Sequence, residues 1–192
     1  MTTVAILFVV IAALLCAAAC LALIGVGHLA LSGSDALERD GLARGQLAPA
    51  WSLPGADGVA VASPPQSPSR PLQLIVFADH SLKSFPSVVA GLRDLRAGHA
   101  GHGGDLEIVI LTRGSAEHAR PLLRELGLGG IAVLNGSSAL YGKYNVRVMP
   151  FAIFVDAAGR VKASSLVNHD WQLAKLRQVA AIPLEPADLA AA

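Results

Sequence analysis

The sequence predicts an α/β sandwich, a mixed central sheet flanked by helices, preceded by one membrane-spanning helix. Three observations predict it. A long uncharged apolar run opens the chain, apolar β-rich runs then alternate with helical spacing, and a closing strand pair leads into a last helix. With 192 residues there is room for one ordinary domain and an appendage. Apolar residues make up 53% of the chain and the mean hydropathy is +0.53, more than a plain soluble domain carries.

The excess sits at the start. Val4 to Gly25 reads VAILFVVIAALLCAAACLALIG without one charge. As a helix it would be roughly 33 Å long, enough to cross the hydrocarbon core. A cleaved signal peptide would need a basic n-region, and only Met1, Thr2 and Thr3 precede the run. A lipoprotein signal ending at Cys20 would turn polar afterwards, whereas Leu21 to Val26 stays apolar. The expectation is an uncleaved anchor over 1–26, a juxtamembrane connector over 27–46, a folded domain over 47–182 and a flexible tail over 183–192. Cys16 and Cys20, the only cysteines, fall inside the span. Ala13, Ala17 and Cys20 form a small-residue stripe suited to packing on another membrane helix. A disulfide between neighbours on one helical turn has poor geometry.

Within the domain, Leu47–Ala62 has short apolar pieces broken by Pro54-Gly55 and Asp57-Gly58, which suits a hairpin. Ser63–Pro71 is a Pro/Ser loop. Leu72–Ala78 and Leu106–Thr112 read as buried strands. Phe85–Arg96 places Val88, Val89, Leu92 and Leu95 at helical spacing. Ser115 should cap a helix running to Leu126, with Pro121 inside it and Gly127 as the stop. Ile131–Leu134 is a short strand and Ser137–Tyr144 a short helix. Phe151–Asp156 and Arg160–Leu166 are strands joined by Ala157-Ala158-Gly159. Asp170 should cap the final helix through Ala181.

Three segments carry a family resemblance. Leu47-Ala48-Pro49-Ala50-Trp51-Ser52-Leu53-Pro54 with Asp57-Gly58 resembles an "APxFxLPxxDG" opening element. Tyr144-Asn145-Val146-Arg147-Val148-Met149-Pro150, then Phe151 to Asp156 and Gly159, resembles a "Y-x-V-x-x-x-P-x-x-x-x-x-D-x-x-G" signature. The third is the strand LIVFA followed by a helix. Together they resemble the membrane-anchored thioredoxin-like redoxins of the TlpA and MauD type, over about Gly45 to Ala181. The resemblance implies a thioredoxin-like fold, a cis-proline at Pro150, and an active site between the LIVFA strand and its helix. There the active family has Cys-x-x-Cys, with the first sulfur at a helix N-terminus that lowers its pKa. Here the stretch is Asp79-His80-Ser81-Leu82-Lys83-Ser84, and Ser81 and Ser84 take the cysteine spacing. Serine cannot cycle between thiol and disulfide, so dithiol chemistry by this domain is excluded by residue identity.

Other chemistry has weaker signals. Asp79, His80 and Ser81 contain the residue types of a hydrolase triad, but sequence neighbours rarely converge as a triad, and a helix-capping role for Ser81 or Ser84 competes. His99 and His102 with Asp105 are weak metal candidates, without a further Cys or His nearby. No cofactor is expected. His28, His118 and His169 read as surface or junction residues, and Trp51 and Trp171 as packing anchors. With 15 basic and 14 acidic residues and no basic cluster, the chain lacks a nucleic-acid footprint.

The resemblance implies one property that survives loss of the sulfurs: the backbone beside the cis-proline pairs with an extended partner segment. Val148, Met149 and Pro150, with His80 nearby, are the partner-binding candidates; a plain strand end is the competing reading. The expectation is a non-enzymatic, membrane-tethered module that binds a membrane or exported protein as an accessory, maturation or assembly factor. A non-dithiol enzyme using Asp79, His80 and Ser81, or a relative of the thiol-disulfide oxidoreductases in name only, are the alternatives. The resemblance places the domain outside the cytoplasm. Arg39 and Arg44 after the span, with no basic residue before it, vote the other way.

Overall fold

The computed structural model describes residues 40–66, 72–99 and 106–190. The expected membrane span, with Ala13, Ala17 and Cys20, lies outside them. Among the described residues, no helix is long and apolar enough to cross a membrane.

The element order is β1 (Trp51–Pro54), β2 (Ala60–Ser63), β3 (Leu72–Phe77), α1 (Phe85–His99), β4 (Leu106–Thr112), α2 (Ala116–Glu125), β5 (Ala132–Asn135), α3 (Ser138–Lys143), β6 (Phe151–Asp156), β7 (Val161–Leu166), α4 (Asp170–Ala181) and α5 (Pro186–Ala190). β1 and β2 form the expected hairpin. The other five strands make one sheet in the order β5-β4-β3-β6-β7, with β3 at its centre. β3, β4 and β5 run parallel, while β6 and β7 are antiparallel to their neighbours.

Alternation along the strands sorts the core into two layers, because successive side chains point to opposite faces. Leu74 and Val76 of β3 join Phe85, Val88 and Leu92 of α1, Leu123 of α2, and Leu173 and Leu176 of α4. Ile75 and Phe77 join Ile153 and Val155 of β6, and Tyr141 and Tyr144 on the other face. Both faces are covered, so β3 reads as a continuous apolar run rather than an alternating one. Trp51 fastens the hairpin to this second layer: its indole donates to the Tyr144 hydroxyl at 3.0 Å, which donates to the Pro49 carbonyl at 2.9 Å.

Several boundaries differ from expectation for identifiable reasons. Ser115 has an extended backbone but makes no capping bond with its side chain. The first-turn amide of Ala116 donates instead to Asn135 Oδ1, 2.8 Å away at the end of β5. At α4 the cap moves one residue earlier, where the His169 amide donates to the Gln172 side chain at 2.9 Å. The compact unit spans Asp40–Ala192. Gly41 donates to the Asn145 carbonyl, Gly45 to Val161 and Ala48 to Gly159, so this polar stretch is part of the fold. Residues 183–190, expected to be a flexible tail, include α5 and are gripped by Arg44. Its guanidinium donates to Asp188 and to the carbonyls of Lys162, Val179, Ile182 and Pro183. Gly45 must be glycine here: its φ is +84°, and a Cβ would run into the Asp188 carbonyl. Trp171, expected as a packing anchor, is 58% exposed.

Candidate functional site

The antiparallel register Phe77↔Phe151 sets the end of β3 beside the start of β6. Two candidate segments from distant parts of the sequence, Asp79–Ser84 and Val148–Pro150, therefore meet at one end of the sheet. The Met149–Pro150 peptide bond is cis, as the resemblance implied, and Ser63–Pro64 is cis as well.

Ala78 extends the sheet by one bond, its amide donating to the Leu111 carbonyl at 3.0 Å. The chain then turns around Asp79. Its Oδ1 accepts from the Ser81 amide at 3.0 Å and the Ser81 hydroxyl at 2.8 Å. Its Oδ2 accepts from the Gly114 amide at 2.9 Å and the Thr112 hydroxyl at 3.2 Å. One carboxylate, with a side chain only 14% exposed, thus ties the loop before α1 to the loop after β4. Gly114 permits this: a Cβ there would stand 2.6 Å from Asp79 Oδ2. These donors, the Ser81 amide foremost, hold the Asp79 carboxyl below its ordinary range against the opposing effect of burial.

That depression carries a sign. A carboxylate with a lower folded than unfolded pKa stabilises the fold above its unfolded value near ~3.9, and that contribution disappears as pH falls through the folded value. Urea midpoints should therefore drop between about pH 5 and pH 2, and Asp79→Asn should flatten that part of the curve. An unchanged slope in the variant would remove Asp79 as the cause.

The arrangement is poorly built for hydrolysis. The Ser81 hydroxyl donates its hydrogen bond to Asp79, and a carboxylate with a depressed pKa is a weak general base. His80 Nδ1 stands 3.5 Å from Asp79 Oδ1, beyond good hydrogen-bond reach, and is shielded without a hydrogen-bond partner. Its ring meets that of His118 edge-on, centroids 6.3 Å apart. So Asp79, His80 and Ser81 do come together, but they build a turn rather than a nucleophile–base–acid chain. Ser81 lies four residues ahead of α1 with its hydroxyl committed to Asp79. Ser84 directly precedes the helix and its carbonyl accepts the first helical bond, from Val88 at 3.1 Å.

Pro150 is buried, Met149 half-buried and Val148 44% exposed. The Pro150 carbonyl accepts from Val167 at 3.0 Å. Among the described residues, the backbone of Val148 and Met149 makes no hydrogen bond. The loop carrying them is braced from behind: Asn145, at a left-handed φ of 52°, exchanges bonds with Gly41, and Arg147 Nε pairs with the buried Asp40 at 3.1 Å. Sequence reasoning missed Asp40, Gly41, Thr112 and Gly114. The one signal among them was Gly114, two residues past the end of β4. Among the weak metal candidates, His102 and Asp105 lie outside the described residues, and the side chain of His99 is not described either. Among the described residues, no group of three or more His, Cys, Asp or Glu could hold a metal.

No protein-family model and no curated protein matches the sequence. Solved structures do match. A thiol-disulfide oxidoreductase from Bacteroides fragilis superposes with a TM-score of 0.57 at 16% identity, over 70% of this chain and 99% of its own. A candidate thiol:disulfide interchange protein DsbE from Chlorobium tepidum gives 0.60 at 18%, over 72% and 95%. A peroxiredoxin-like protein from Aquifex aeolicus gives 0.56 at 13%, over 72% and 88%. The sheet order, the flanking helices and these superpositions together establish that the described part of the chain has a thioredoxin-like fold.

Proposed function

We propose that this protein is a redox-inactive thioredoxin-like module, tethered to a membrane by residues 1–26, that binds an extended segment of a protein partner at the Val148-Met149-Pro150 edge. The observation that carries this reading is the backbone of Val148 and Met149, without a hydrogen bond among the described residues and partly open to solvent beside Pro150. An extended segment laid there gains main-chain hydrogen bonds, and Met149 offers an adaptable apolar contact. The absence of any cysteine after Cys20 leaves binding as the activity that needs no sulfur. The partner is a membrane or exported protein, and the role is that of an accessory, maturation or assembly factor of a redox complex, with the domain on the extracytoplasmic side.

The test is purification of the full-length protein from its native membrane in mild detergent, with Met149→Arg as the comparison. A stoichiometric partner should co-purify, and the variant should retain at least about tenfold less of it. Equal retention by the variant would move the contact away from the proline edge. Recovery of the protein alone in both cases would end the stable-complex reading.

A further inference from the structure

A groove of about 350 Å³ runs along the seam between α1 and α4. It shares no residue with the proline edge. Gly91, Asp94, Leu95 and Gly98 supply one wall, a single stripe at helical spacing. Gly91 lets the first turn of α4 come close, since a Cβ there would lie 2.8 Å from the Asp170 carbonyl oxygen, and a Cβ at Gly98 would meet no atom of the described residues within 4 Å. The opposite wall is Asp170, Trp171 and Ala174.

Trp171 is the largest apolar side chain that the described fold leaves open, at 58% exposure. It is oriented all the same: the His169 ring lies parallel to it, 7° between planes and 6.3 Å between centroids. Two carboxylates, Asp94 and Asp170, line the same groove. Asp170 accepts from the Trp171 amide at 2.8 Å, and among the described residues neither Asp94 nor Asp170 forms an ion pair. The basic residue Arg96 is turned away, its guanidinium beside Gly130. The groove therefore joins an exposed aromatic face, apolar lining and two carboxylates that form no ion pair among the described residues.

We propose that this groove takes an arginine side chain of a protein partner, stacked on Trp171 with its N–H donors directed to Asp94 and Asp170. A planar guanidinium suits this set better than an ammonium, because it stacks on an indole and offers forked donors to carboxylates. Its methylene stem fits the apolar lining. This site is independent of the proline edge, so either can fail without the other.

The experiment titrates the full-length protein in detergent with the blocked tripeptide Ac-Gly-Arg-Gly-NH2 and follows indole emission. A saturable change with a dissociation constant in the ~1 mM range is expected, lost in Trp171→Phe and unaltered in Met149→Arg. The Asp94→Asn/Asp170→Asn double variant, checked for native circular dichroism, should bind about tenfold more weakly; Asp94→Asn alone should show a partial loss. No saturable response up to ~0.1 M tripeptide would overturn the proposal. So would equal binding of the lysine or leucine tripeptide, unchanged binding by the double variant, or a response to free arginine only.

Discussion

Replacing Asp79 with alanine is expected to cost about 3 kcal/mol of unfolding free energy, roughly 6–12 °C in melting temperature. The carboxylate is the only acceptor identified for the Ser81 and Ser81-hydroxyl donors, and it also accepts from Gly114 and Thr112. Removing it takes an acceptor from the part-buried Gly114 and Thr112 donors as well as from the exposed Ser81 ones, and an unmade bond costs more than a made one gains. Asp79→Asn keeps acceptor capacity without the charge and should recover about half of the loss. Urea unfolding of the full-length protein and both variants measures the series. A loss below about 0.5 kcal/mol for the alanine variant would mean that the turn holds without its carboxylate. Ser81→Ala, by contrast, removes one exposed donor and should cost under about 1 kcal/mol. That asymmetry separates a structural Asp79 from one that serves to activate Ser81.

The second large effect is expected at Arg44. Arg44→Met keeps much of the stem's packing but removes the fork that donates to the carbonyls of Lys162, Val179, Ile182 and Pro183. Helix C-terminal carbonyls lack partners inside their own helix, and Arg44 supplies them at the end of α4. The loss should be about 2–3 kcal/mol. Arg44→Lys should recover less than half of it, because one ammonium cannot serve the same set of acceptors. Amide exchange at Asp188 and Leu189, which donate to the Glu185 carbonyl, should accelerate in step. Unaltered exchange there would detach α5 from the clamp.

Arg44 also shows where the sequence could be read and where it could not. The strands were legible because β3, β4 and β6 are apolar runs covered on both faces, and α1 because Val88, Leu92 and Leu95 repeat at helical spacing. The stretch Asp40–Gln46 was not. It joins the fold through backbone bonds and one guanidinium, and neither leaves a hydrophobic period. Asn135 was invisible as a helix cap for the same reason: it lies far along the chain from the amide it caps, and only the β4–β5 pairing brings them together. At the site, the spacing of Ser81 and Ser84 located the loop. That Asp79, not either serine, organises it depended on Thr112 and Gly114, which arrive from the next strand. Trp171 looked like a core anchor by residue type, and its exposure follows from its place at the start of α4 beside the groove.

The central position of β3 has a consequence during synthesis. The strand pairs on one side with β4, close behind it in the chain, and on the other with β6, made much later. A nascent chain that has released everything through β5 already holds a parallel three-stranded sheet. The free long edge of that sheet is LQLIVF, stripped of the antiparallel strand that will cover it. An uncovered apolar β-edge is a template for pairing with other chains. Products truncated before Phe151 should therefore stick to one another or to holdase chaperones, and the half-made domain is most vulnerable in the interval before that residue leaves the ribosome.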